Sequence, residues 1–200
     1  MPKIVDHAQR RRDIVDALWR VVDRDGMHAV SVRKVAAEVG MAKSNIGHYV
    51  GSQSQLIALA VADVSTEVAM QVLALDLEHL DVESATEAFL KVIPMSAQRR
   101  RQSQVWLLLL ATQDTSPDLQ QVLSNLNTGV REGITTVLQA MVDQGLVHPD
   151  RDIAVEAARL HGLIDGLAVQ TLTDADLMPV ETIGVVVRAH VAELQTAPPV

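Results

Sequence analysis

The chain has 200 residues, no cysteine, a net charge of −8, and 48% hydrophobic residues against only 2% aromatics. That length buries roughly 70% of its unfolded surface without staples. The missing cysteines exclude disulfides, thiolate metal sites and a cysteine nucleophile, and the core has to be aliphatic. Charge is unevenly spread: residues 1–55 hold nine Lys/Arg and six Asp/Glu, a net of +3, and the rest holds eight and nineteen, a net of −11. A small basic head, residues 1–55, is expected on a larger acidic body, residues 56–200.

Apolar residues recur at helical spacing and strand alternation is missing, so the class is all-α, with about nine helices. The first, about 7–25, lines up Ile14, Leu18, Val21 and Val22 and stops at Gly26. Ser31 then caps SVRKVAAEV, a short helix follows Gly40 in MAKSNIGHYVGS, and GSQSQ opens a long helix over 53–77. Further helices are predicted at 84–99, 103–113, 117–144, 151–173 and 179–195, punctuated by Pro117, Gly145, Pro149, Asp152 and Pro179. QRRRQ at 98–102 reads as a solvated helix end. The longest unbroken apolar run, Val105 to Ala111, is far short of the ~20 residues of a membrane span. MPKIVDHAQRRRD turns to charge before an apolar leader develops, so a soluble cytoplasmic protein with no membrane partner is expected.

Residues 31–50 form two helices around a tight turn. Ala36 allows close approach, Gly40 supplies a positive φ, and Val35, Val39, Met41, Ile46 and Tyr49 provide contacts between the helices. This is helix-turn-helix spacing. The second helix of such a unit lies in the major groove of double-stranded DNA, so its outer face must be polar and slim. Ser44, Asn45, Gly47 and His48 meet that need: Lys43 and Ser44 reach phosphate or bases, Asn45 suits an adenine edge, Gly47 admits the backbone, and Tyr49 turns its hydroxyl to a phosphate. Ser31 and Arg33 of the preceding helix belong to the same candidate surface.

SVRKVAAEVGMAKSNIGHYVGSQSQLI resembles the N-terminal DNA-binding unit of the TetR/AcrR family of one-component transcriptional repressors, over about residues 10–56. In that family an Ala-x-x-x-Gly turn precedes a short recognition helix ending in His-Tyr-Phe or a related run, and then Gly-Ser-Lys. Here Ala42 replaces the usual Ser/Thr cap, Gly47 a common aromatic, Val50 the Phe, and Gln53 the Lys that touches phosphate. The resemblance then implies a looser reading helix with fewer phosphate contacts, for which an arm of Arg10, Arg11 and Arg12 compensates. The C-terminal half, above all LIDGLAVQ, is similar more faintly to the ligand domain of the choline-responsive (BetI-like) branch. That similarity implies a dimer interface built from the last two helices and an inducer inside the bundle.

The residues support a homodimer. Gly162 and Gly166 share a helix face, with Asp165 paired to His161 beside them, and Ile183, Gly184, Val187 and Val191 form a small-aliphatic stripe on the last helix. An isologous dimer spaces two reading helices about one DNA turn apart and calls for a palindromic operator. Phe89, Met95, Trp106, Leu109, Leu110 and Gln113 are the candidate pocket residues. Two aromatics beyond the head make a poor quaternary-ammonium cage, so a small, largely apolar inducer is expected. No phosphate loop, His-Glu-x-x-His pair or nucleophile elbow occurs, and the histidines lack metal spacing; no catalytic residue, metal or cofactor is assigned. The reading is a ligand-responsive DNA-binding repressor, against the alternative of an all-α enzyme or scaffold with a vestigial helix-turn-helix.

Overall fold

The computed structural model describes residues 7–112 and 116–198, and among these the chain is helical throughout, with no strand. The helices are α1 (His7–Asp25), α2 (Val32–Glu38), α3 (Lys43–Ile46), α4 (Gln53–Leu73), α5 (Val82–Leu90), α6 (Ala97–Thr112), α7 (Pro117–Asp143), α8 (Ile153–Thr173) and α9 (Val180–Glu193).

Local chemistry sets the boundaries. At the ends of α2 and α7 the chain turns through Gly40 (φ 69°) and Gly145 (φ 70°), a conformation that disfavours a Cβ. In both, the next N–H returns to a carbonyl five residues back, Met41 to Ala36 and Leu146 to Met141, each at 2.8 Å, which satisfies carbonyls the helix leaves open. Asp81 and Ser84 cap α5 reciprocally: Asp81 Oδ1 accepts from Ser84 N at 2.8 Å, and Ser84 Oγ accepts from Asp81 N at 3.0 Å.

The helix expected over 84–99 is broken. Pro94 has no N–H to continue the ladder, so α5 stops at Leu90 and α6 starts at Ala97, with Ser96 Oγ accepting from Arg99 N at 3.2 Å. QRRRQ therefore opens a helix instead of closing one, and it is not a solvated end. Cations are disfavoured at a helix N-terminus, and Glu67 of α4 offsets them. Its carboxylate accepts from Gln102 Nε2 at 2.6 Å and Gln98 Nε2 at 3.2 Å, and pairs with Arg99 at 3.2 Å. Arg100 donates to the Thr171 carbonyl, in the last turn of α8, at 3.1 Å.

Contacts divide the chain into two compact units, Met1–Val64 with Gln104–Leu123, and Ser65–Ser103 with Ser124–Val200. In the first, Ile14, Leu18, Val21, Val35, Ile46, Val50 and Leu56 are buried, and Trp19 Nε1 donates to Asp63 Oδ2 at 2.9 Å. In the second, one aliphatic core joins Phe89 and Ile93 to Leu138, Met141, Leu160, Ile183 and Val187. α4 has 21 residues and is long and apolar enough to cross a membrane by length and composition, yet its acids Asp63 and Glu67 are each bonded to protein side chains.

The C-terminal segment is anchored by Arg151, whose side chain has no exposed surface. Its guanidinium donates to Glu156 Oε1 and the Glu193 carbonyl, both at 2.7 Å, and to the Thr196 carbonyl at 2.8 Å. Removing one partner of a buried pair strands the others. Arg151→Met is expected to lower stability by about 3 kcal/mol in a urea titration, whereas Arg159→Met, at the exposed side of the same Glu156, should lower it by less than about 1 kcal/mol.

Candidate nucleic-acid interface and ligand cavity

Ser31 sits in extended backbone (φ −153°), and its hydroxyl accepts from Lys34 N at 3.3 Å to start α2. Beyond the Gly40 turn the Ala42 carbonyl accepts from Ile46 N at 3.1 Å, so Ala42 stands where a capping side chain would and supplies none. α3 has only four residues. It passes into a turn in which His48 N donates to Asn45 O at 3.4 Å, and Tyr49 N and Val50 N both donate to Ile46 O, at 2.9 and 2.8 Å. Val35, Ala36, Ile46 and Val50 are buried, and Val39 and Met41 are half-buried. Ser44, Asn45, Gly47 and His48 are all exposed, as the spacing predicted. Tyr49 is half-buried with its ring 5.7 Å from the His7 imidazole. The side chain of Lys43 lies outside the described residues.

Other expected members of this surface have local duties. Gln53 Nε2 donates to the Val30 carbonyl at 3.2 Å, tying the start of α4 to the loop before α2. Ser52 Oγ accepts from Gln55 N at 3.1 Å while Gln55 Oε1 accepts from Gly51 N at 2.6 Å, a cap for α4 that the sequence suggested. Arg10, Arg11 and Arg12 lie inside α1 and are exposed, so they are a helical triplet and not an arm. Arg10 pairs with Asp13 at 3.6 Å, and Arg12 donates to Gln9 Oε1 at 2.7 Å. Arg33 is exposed.

Counting charge missed an ion lattice between α1 and α2. Arg20 and Arg24 hold Glu38 at 3.0 and 2.8 Å, and Arg24 and Lys34 hold Asp25 at 3.2 Å each. Hydrogen bonds from Arg24 foremost keep both carboxyls below their ordinary range. Arg20, Arg24 and Lys34 are thus committed to acids between α1 and α2, and Arg10 to Asp13 within α1. Arg11, Arg12 and Arg33 are the other exposed arginines of the head.

In the second unit a cavity of about 430 Å³ opens between α4, α5 and α7. Val68 and Val72 of α4, Phe89 of α5, and Gly129, Gly133 and Ile134 of α7 line it, and Ser65, Asn125, Glu132 and Thr136 are its polar members. Of the residues expected in a pocket, Phe89 alone lines this one. Met95 packs half-buried on the core of the second unit, Leu109 is wholly buried and Trp106 and Leu110 are half-buried in α6, and Gln113 lies outside the described residues. An apolar run marks burial without saying what it is buried against. The better signal was the pair of glycines four apart in α7.

Both halves of the chain match known families. Residues 14–60 match the model of bacterial regulatory proteins of the tetR family, and residues 82–196 match the BetI-type transcriptional repressor C-terminal model. The chain belongs to the TetR family. Across the family it is 28% identical over 195 residues to the helix-turn-helix regulator PksA of Bacillus subtilis, covering 97% of this chain and 94% of that protein. It is 26% identical over 175 residues to the regulator BetI of Escherichia coli, covering 84% of each. A transcriptional regulator from Rhodococcus shares the fold with a TM-score of 0.77 at 19% identity, covering 94% of this chain and 99% of that one. So does a putative regulator from Saccharomonospora viridis solved in complex with choline, with a TM-score of 0.70 at 23% identity, covering 93% and 95%. The chain is a ligand-responsive, DNA-binding transcriptional regulator with an all-helical fold.

Within this TetR-family chain the expected dimer face divides. Ile183, Val187 and Val191 are wholly buried in the protomer's own core, so that stripe of α9 packs inward and is not the exposed face a partner subunit would meet. The outward face of α9 carries Val180 and Val185, 43% and 68% exposed. On α8 Gly162 is exposed, Asp165 and Gly166 are half-buried, and Gly184 of α9 is half-buried. A Cβ built on any of these three glycines meets nothing within 4 Å.

Beside Gly162, Arg131 donates to His161 Nδ1 at 3.2 Å from both Nε and Nη2, which requires an unprotonated Nδ1. The other ring nitrogen stands 3.8 Å from Asp165 Oδ2. Burial foremost, and Arg131 after it, hold His161 below its ordinary value against the opposing pull of Asp165, and burial foremost raises Asp165. His190 is lowered in the same way, by burial and then Arg159. Below about pH 6.5 the unfolded chain takes up protons that the buried imidazoles refuse, so their share of the stability is full above that pH and declines on acidification, while the raised Asp165 offsets part of the decline. Urea midpoints measured at pH 7.5 and 5.5 should fall on acidification, and His161→Gln, which keeps an acceptor for Arg131 without titrating, should shrink the fall while His190 retains its share.

Proposed function

We propose that the protein represses transcription by binding a palindromic operator in double-stranded DNA as a homodimer, and that a small, largely apolar molecule releases it. The observation that carries this reading is the exposed, slim and polar face of Ser44, Asn45, Gly47 and His48, held over buried Ile46 and Val50 behind the Gly40 turn. In this reading Ser44, Asn45 and His48 face base edges, Gly47 lets the backbone close in, and Lys43, Tyr49, Arg33 and Arg10 to Arg12 neutralise phosphates. Ser31 and Gln53 act indirectly, by fixing α2 and α4. Residues 1–55 serve DNA, and residues 56–200 serve the ligand and the partner subunit. The protein works in the cytoplasm as a regulator and not as an enzyme.

Release is linkage. A ligand that binds better to the conformer with mis-spaced reading helices weakens DNA binding by the same factor that DNA weakens the ligand. The cavity between α4, α5 and α7 is the ligand site in this reading. The exposed faces of α8 and α9 around Gly162 and Val185 supply the dimer contact.

A mobility shift on DNA flanking the protein's own coding region tests the reading face. Ser44→Ala, Asn45→Ala and His48→Ala together should weaken operator binding at least tenfold while leaving binding to bulk DNA near its original level, and Arg33→Ala should reduce the log–log salt slope by about one unit. Undiminished operator binding by the triple variant would sink the assignment. Gly162→Leu should convert the dimer to monomer by light scattering, because the added side chain meets open space in the protomer and a partner in the dimer.

A further inference from the structure

The cavity between α4, α5 and α7 has a chemistry that narrows its ligand beyond "largely apolar". Its walls are mostly aliphatic, with Ser65, Asn125, Glu132 and Thr136 as polar members and Phe89 as the one aromatic ring among the lining residues, and at about 430 Å³ it falls within the ~300–1,000 Å³ of sites that enclose drug-sized molecules. A compact quaternary ammonium held by a cage of rings does not fit that description. On the α7 side Gly129 and Gly133 lie four residues apart, so the wall there is bare backbone. A Cβ on Gly133 would touch Val72 Cγ2 at 3.6 Å, while one on Gly129 would meet nothing within 4 Å. The strip therefore narrows at Gly133 and is open at Gly129.

Among the lining residues Glu132 is the one charged side chain, and no Lys or Arg lines the cavity. Glu132 is exposed and adjoins Gly133 on α7, and the preceding Arg131 is engaged with His161. Residues 56–200 carry a net charge of −11, so both the local and the long-range field favour a cation and disfavour an anion at the mouth.

We infer that the cavity takes an amphiphilic cation, whose elongated apolar body lies along the Gly129–Gly133 strip and whose ammonium head stays at Glu132. This rests on the cavity being the ligand site of the regulator. The apolar body supplies most of the affinity, roughly fourfold per buried methylene. Glu132 at the wet rim supplies selectivity, about two- to fivefold between a cation and a neutral head.

A matched series tests this on the full-length protein: octyltrimethylammonium, 1-octanol, octanoate and choline, titrated by calorimetry below their micelle-forming concentrations, with operator DNA binding measured in parallel. The expected order is octyltrimethylammonium, then octanol, then octanoate, with choline far weaker than all three. Glu132→Gln should bring the three octyl compounds to within about twofold of one another. Gly129→Leu should weaken all three at least tenfold without lowering the melting temperature, since Leu is the better helix former and its Cβ meets open space. Octanoate binding as tightly as the cation, choline matching it, or octyl binding indifferent to Gly129→Leu would each overturn the inference. Loss of operator binding by the unaltered protein would instead strike at the regulator reading, so the two failures are distinguishable.

Discussion

The carboxylate of Glu67 fixes how α4 is held. Three arginines in succession, Arg99 to Arg101, open α6, where the helix dipole already repels positive charge. Glu67 answers them: Gln98, Gln102 and Gln71 donate to its oxygens and Arg99 pairs with it. The neighbouring residues of the same helix, Ser65, Val68, Ala69 and Val72, line the cavity. Leu73, which also lines the cavity, is 78% exposed, and Met70 is 61% exposed. The second half of α4 is thus held by a polar cluster on one side and by little apolar burial on the other. Each hydrogen bond contributes about 0.5–1.5 kcal/mol net, and segments with few buried apolar contacts are the ones that move at low cost. On the proposed function, a ligand that fills the cavity adds apolar burial where the protein alone has little of it.

The reading head follows the opposite rule. α3 is four residues long, lacks a side-chain cap at Ala42 and loosens at Gly47, so it has almost no stability of its own. Its position comes from Ile46 and Val50 beneath it, from the reciprocal bonds of Ser52 and Gln55, and from α2, which Glu38 and Asp25 clamp to α1 through Arg20, Arg24 and Lys34. Part of the apparent electrostatics of the head is therefore scaffolding. The acids that neutralise those cations are what allow the short helix to present Ser44, Asn45 and His48 without being buried itself.

Helix ends, the tight turn and the polar face were readable because each depends on local chemistry: a hydroxyl or carboxylate at Ser31 and Asp152, a glycine with positive φ at Gly40, and small polar residues on one side of a short helix. What a face packs against is not local. Ile183, Val187 and Val191 share a period that fits an inward core as well as a partner subunit, and the protomer's own core claims them. Leu109 and Trp106 lie in the most apolar run of the chain and do not line the cavity. QRRRQ failed for a different reason. Its sign relative to the helix dipole depends on whether Pro94 ends one helix or interrupts it, and its counter-charge, Glu67, is thirty-two residues away from Arg99 in sequence.

Glycine carries the sharpest residual signal. Gly129 and Gly162 both sit in the middle of long helices, where Gly is about 0.8–1 kcal/mol less favourable than Ala, and a Cβ on either would meet nothing within 4 Å. Neither is required by packing inside the protomer. Their neighbours differ. Gly129 stands over an aliphatic hollow shared with Phe89 and Ile134. Gly162 stands on an outer face beside Asp165 and His161, with Ala158 one turn away. The same i, i+4 glycine pattern thus occurs twice with two proposed uses, a slot for a small molecule on α7 and a close approach for a second chain on α8, and it is the company each glycine keeps that separates them.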